Sequence, residues 1–100
     1  MKSLSFHPEI TEDIKASYEW YEEQTVGLGL SFVDELEKSY EAISNFPKSW
    51  SPFYFGFKRY ILSRFPFSVV YKEEQETIFV IAVMHNSRNP KFWEARLSSE

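Results

Sequence analysis

The apolar positions of this 100-residue chain change their period once, near its midpoint. In the first half Ile10, Ile14, Ser17, Tyr18 and Tyr21 recur at intervals of three and four, which lines them up on one face of a helix. Pro8 suits a first helical position, and Glu9, Glu12 and Asp13 place negative charge where the helix dipole favours it. Gly27 and Gly29, in TVGLGL, break the pattern. A second stripe follows, Phe32, Val33, Leu36, Tyr40 and Ile43, with Asp34, Glu35, Glu37, Lys38 and Glu41 on the other faces and Pro47 as its stop. Two amphipathic helices joined this tightly predict an antiparallel hairpin.

Beyond residue 50 the segments FKRYILSRF, FPFSVVYKE and TIFVIAVMH are rich in β-branched and aromatic residues and predict strands, with EEQE at 73–76 as a turn. TIFVIAV is almost unbroken in its apolarity, which predicts a central strand covered on both faces. Leu4 to Phe6 predict a short strand at the start, and Asn89-Pro90 the N-cap and first position of a short terminal helix, KFWEARL. The order is β-α-α-β-β-β with a short C-terminal helix. This is an α+β fold, with an α-hairpin packed on one face of a small antiparallel sheet, in a single domain spanning 1–100.

Charge divides along the same boundary. Residues 1–50 hold four lysines against ten acids, and residues 51–100 hold three lysines and four arginines against five acids. All four arginines, Arg59, Arg64, Arg88 and Arg96, therefore fall in the strand-forming half, so contact with phosphate or with an acidic partner is expected there. The net charge of −4 makes general nucleic-acid binding a poor expectation. With no cysteine, disulfides, thiolate metal sites and thiol nucleophiles are excluded together. MKSLSFHPEI lacks the apolar stretch of a signal peptide and no run approaches a membrane span, so a cytoplasmic protein with no membrane partner is expected.

Familiar catalytic motifs are missing. GLG at 27–29 joins helices rather than cradling phosphate, and His7 and His85 have no metal-ligand spacing, so neither metal nor cofactor is expected. Arg64, at the end of one strand, and His85 and Arg88, after another, fall at one edge of the predicted sheet and could converge. A histidine beside several arginines would have its charged form disfavoured. Arg88 and Arg96 could instead pair with acids of the long helices.

The segments IKASYEWYEEQTVGLGLSFVDEL, RFPFSVVYK and AVMHNSRNPKFW together resemble the RelE/ParE toxin superfamily over nearly the whole chain, in particular its ParE-like, plasmid-stabilisation branch. The resemblance implies the toxin of a type II toxin–antitoxin system that inhibits growth and is neutralised by a cognate antitoxin. ParE-like members poison DNA gyrase without chemistry of their own, which would make Arg59, Arg64, His85, Arg88 and Arg96 target-binding residues. RelE-like members are ribosome-dependent mRNA endoribonucleases, and in that alternative Arg64, His85 and Arg88 would be catalytic. Against it, Ser68 stands in FSVVY where such nucleases carry a basic residue, and Trp93 lies where they carry a tyrosine. A further alternative is a non-toxic relative kept as a partner-binding module. The antitoxin's C-terminal segment would lie along the helices or add a strand to the sheet, with Trp20 and Trp93 as first anchors among Trp50, Phe53, Tyr54 and Phe55. A segment covering the arginines would be acidic.

Overall fold

The computed structural model describes residues 1–99. Strand β1 (Ser3–Phe6) leads into helices α1 (Ile10–Gln24) and α2 (Leu28–Asn45), followed by β2 (Ser51–Pro52), β3 (Lys58–Ile61), β4 (Phe67–Glu73) and β5 (Thr77–His85). Two 3-10 segments complete the chain, Tyr54–Gly56 and the terminal Pro90–Ser99. The five strands form one sheet in the order β1-β5-β4-β3-β2. The α+β architecture and the helical hairpin follow the sequence pattern, with three differences. A fifth strand, the short β2, is added at the edge beside β3. The sheet is mixed, because β1 runs parallel to β5 in the register Ser3↔Thr77 to Phe6↔Val80, whereas the other pairs are antiparallel. The terminal helix is a 3-10 segment; Asn89 still caps it, its Oδ1 accepting from the Lys91 N–H at 2.9 Å.

The hairpin is locked at its turn. Gly27 takes the left-handed conformation (φ 88°), and a Cβ on Gly29 would stand 2.8 Å from the Tyr18 carbonyl oxygen, so the helices approach closely here. Glu22 of α1 accepts the N–H of Gly27 at 2.8 Å and of Gly29 at 2.9 Å. One helix thereby caps the orphan donors that open the next.

The sheet is covered on both faces, as the apolarity of β5 predicts. Phe32, Leu36 and Ile43 of α2 meet Val69, Tyr71, Ile78 and Val80 on one face, where the rings of Tyr21, Phe32, Phe65 and Phe67 pack edge-on. On the other face Phe57, Val70, Phe79, Ile81 and Met84 are covered by Trp93 of the terminal segment. Large rings suit this task, since each removes much apolar surface from water in a small core.

Pairing with β1 stops at Val80, which leaves the outer backbone edge of β5 unpaired beyond it. Side chains complete the edge. The Val83 N–H donates to Asp13 Oδ2 (3.1 Å), Arg96 Nη1 donates to the Ile81 carbonyl (2.9 Å), and Arg96 grips both Asp13 oxygens at 2.8 Å. An ion pair does here what a neighbouring strand would do, satisfying buried backbone groups that cannot be left open.

Candidate functional site

The sequence places five basic residues and two tryptophans at a prospective binding site, and the fold separates them. Arg96 is inside the molecule, 7% exposed. Its hydrogen bonds to Asp13 outweigh the burial that would depress its basicity and hold its pKa above the ordinary arginine value. It is an internal strut, contrary to its expected place among target-binding residues. Trp93, expected as an exposed anchor, has 0% exposure and stacks with Phe53 while meeting Phe55 and Phe57 edge-on. Both departures have one cause: the terminal segment folds back over the second face of the sheet, which an isolated short amphipathic run does not announce.

Trp20 stands as expected, 57% exposed on α1, its ring edge-on to Tyr21. The groove beside it on α1 is lined by Tyr18, Glu19, Glu22 and Glu23. Val26 and Leu30, at the turn of the hairpin, are also exposed.

Arg64, His85 and Arg88 do share one end of the sheet. The β3–β4 turn closes there through Leu62 N–H to the Phe67 carbonyl, Phe67 pairs with His85, and the Asn86 N–H donates to the Pro66 carbonyl. Their side chains diverge nonetheless. Arg64 turns to α2, where Glu35 accepts its Nε–H at 3.0 Å together with the backbone N–H groups of Ser63 and Arg64 and the Ser63 hydroxyl. Burial of Glu35 opposes its ionisation, but these donors outweigh it and hold the carboxyl below its usual range. His85 and Arg88 lie instead in a cleft of about 370 Å³ against α1, shared with Glu12, Asp13 and Ser17. His85 Nδ1 accepts the Ser87 N–H at 3.1 Å and its ring meets Phe67 edge-on, while the Arg88 guanidinium sits 3.6 Å above the Phe92 ring. Arg88 shares this cleft while Arg64 turns away to α2, so the expected convergence of the three side chains does not form. Ser68, fully buried, donates to Asn86 Oδ1 at 2.5 Å and presents no cation to the sheet surface.

Arg59 lies on the second face of the sheet. Its guanidinium stacks 4.6 Å from the Phe53 ring centre, and its Nε is buried without a hydrogen-bond partner. The stretch Phe53–Phe57 next to it escaped notice as a unit in the sequence, where only its rings stood out. Tyr54 and Phe55 project from it, 56% and 50% exposed, and Phe55 takes a left-handed backbone (φ 61°, ψ 29°) that aromatic residues rarely adopt. Among the described residues no group of His, Asp and Glu side chains is placed to hold a metal ion, and no helix is long and apolar enough to cross a membrane.

Compared with known proteins, residues 4–90 match the family described as the ParE toxin of the type II toxin–antitoxin system parDE. Among solved structures, a chain of a chromosomal ParDE toxin–antitoxin system from P. aeruginosa is similar to this one with a TM-score of 0.74. The match covers 85% of this chain and 96% of that one at 18% identity, a likeness of fold. No curated protein sequence matches the chain.

Proposed function

This chain belongs to the ParE toxin family of type II toxin–antitoxin systems, and we propose that it arrests growth by binding DNA gyrase, without bond-making chemistry, until a cognate antitoxin covers it. The observation that carries the binding reading is the dispersal of the residues that cleavage would need. General acid–base chemistry requires its groups within hydrogen-bond reach of one substrate. Here Arg64 is engaged by Glu35, His85 faces α1, and Ser68 and Trp93 are buried. Arg59, Arg64, His85 and Arg88 are assigned to target contact on this reading, and the place of action is the cytoplasm.

The antitoxin would dock on the hairpin side. The two helices carry nine acids against two lysines, Trp20 stands exposed on α1, and a groove on the same helix is lined by Tyr18, Glu19, Glu22 and Glu23. An amphipathic segment with lysine or arginine on one face and an apolar stripe on the other suits that surface. The test is to express the chain alone and together with the product of the neighbouring gene. Growth arrest by the chain alone, relieved by the neighbour and accompanied by co-purification of the two, is expected. Unimpaired growth under strong expression would reject the toxin reading.

A further inference from the structure

We propose that the second face of the sheet, around the turn Phe53–Phe57, is a docking surface for an acidic protein segment that carries one aromatic or large aliphatic side chain. The proposal rests on the toxin reading and names the chemistry of the target segment that toxin would grip.

The first observation is a backbone held against its preference. Phe55 is left-handed without being glycine, and Gly56 follows at φ 79°. The turn is fixed in this form by the Phe53 N–H donating to the Phe57 carbonyl at 2.8 Å and the Phe57 N–H donating to the Tyr54 carbonyl at 3.1 Å. Strain of this kind persists where the surroundings over-determine it, and here its effect is to present two rings to solvent. Apolar burial does not explain them, because Tyr54 and Phe55 are half-exposed beside a face whose core is already closed by Trp93.

The second observation is a cleft of about 210 Å³ between these rings and the start of the terminal segment, lined by Tyr54, Phe55, Asn89, Pro90 and Lys91. It offers one apolar side chain two aromatic walls and a proline floor, with a cation at the rim.

The third is charge. The two charged strand residues on this face are both basic: Arg59 over Phe53 and Lys72 5.8 Å from the Phe57 ring. Among the described residues neither they nor Lys91 forms an ion pair, whereas Lys2, Lys48, Arg64 and Arg96 are paired. Glu94, three residues after Lys91, makes no ion pair among the described residues either. Unpaired cations around exposed rings suit a partner that brings both carboxylates and an apolar anchor. A single nucleic-acid strand could also stack on rings, but the chain's net charge of −4 and its acidic opposite side disfavour a phosphate backbone.

A display library of 12-residue peptides, panned on the full-length protein, tests this. Selected peptides are expected to combine an excess of Asp and Glu with an aromatic or large aliphatic residue. They should bind at least tenfold more weakly to the variant Tyr54→Ala, Phe55→Gly, Lys91→Glu, and equally well to Trp20→Ala. Thermal melts of the triple variant serve as the folding control, and its exposed positions lead to the expectation that it folds. A selection that contains no acidic peptides, unchanged binding of the acidic peptides to the triple variant, or tighter binding of a 12-nucleotide oligo-dT would each overturn the proposal; basic peptides lost on Trp20→Ala report the hairpin side instead. In cells the triple variant should no longer arrest growth yet still co-purify with the antitoxin, and retained toxicity would overturn the target assignment. If the wild-type chain fails to arrest growth, the toxin reading falls and the peptide result alone decides the surface.

Discussion

Glu35 is the residue on which the helix–turn junction depends. Its depressed carboxyl pKa means that its stabilisation is fully present above the unfolded value near ~4.3 and is lost as pH falls through the lower folded value. Glu35→Gln removes the charge that four donors address and should destabilise the protein at neutral pH by about 1–3 kcal/mol. In urea titrations at several pH values, the gap between wild type and variant should close in the acid range; a gap independent of pH would contradict the assignment. Phe55 makes a different case. Left-handed geometry costs a non-glycine residue about 1–2 kcal/mol, and the ring contact with Trp93 returns about 0.5–1.5 kcal/mol. Phe55→Gly should therefore leave the melting temperature nearly unchanged, and a large drop would show that the ring serves the core rather than a partner. Neither role was legible in the sequence. Glu35 reads there as one of several acids on a solvated helix flank, and a φ angle leaves no mark on an FYFGF run.

Elements were more legible than their junctions. The stripe Phe32, Leu36, Ile43 and the apolar run of β5 announce their own burial, because a repeating spacing reports one face of a regular structure. The direction of β1 was not legible, since four residues fix no partner; the hairpin that follows carries the chain to β2 at the far edge, and the meander back from there lays β5 beside β1 in parallel. Arg96 and Trp93 were misplaced for a related reason. Their burial depends on the terminal segment finding the sheet and Asp13, a contact 83 residues away in sequence. Removing Arg96 should strand Asp13, buried and unpaired, at a cost of about 3–5 kcal/mol. Because the pair acts as one unit on the edge of β5, Asp13→Ala with Arg96→Ala should cost less than the two single changes added, by on the order of 0.5–3 kcal/mol. Additive melts would argue that the two side chains support the edge separately. At the hairpin turn, helix propensity favours alanine over glycine by about 1 kcal/mol. Overpacking against the fixed Tyr18 carbonyl costs about 1–3 kcal/mol, so Gly29→Ala should lower stability. A more stable variant would mean that the helices part easily at their turn.

The whole molecule has two unlike sides. The helices concentrate acid and expose Trp20, and the far side of the sheet holds Arg59, Lys72 and Lys91, which form no ion pair among the described residues, near Tyr54 and Phe55. On the proposed reading a basic antitoxin segment and an acidic target segment would take separate surfaces, and neutralisation would then act by reach or steric block rather than by competition for one patch. The halves of this pattern were visible in the sequence as a charge split at residue 50, but their placement on opposite sides of the sheet required the fold. On the proposed reading the chain stops growth by binding rather than cutting. Pulse-labelling of DNA and protein synthesis after induced expression of the chain alone addresses it most directly. DNA synthesis is expected to stop first while protein synthesis continues. An immediate stop in protein synthesis, with messenger RNA cleaved on ribosomes, would contradict it and return Arg64, His85 and Arg88 to a catalytic role.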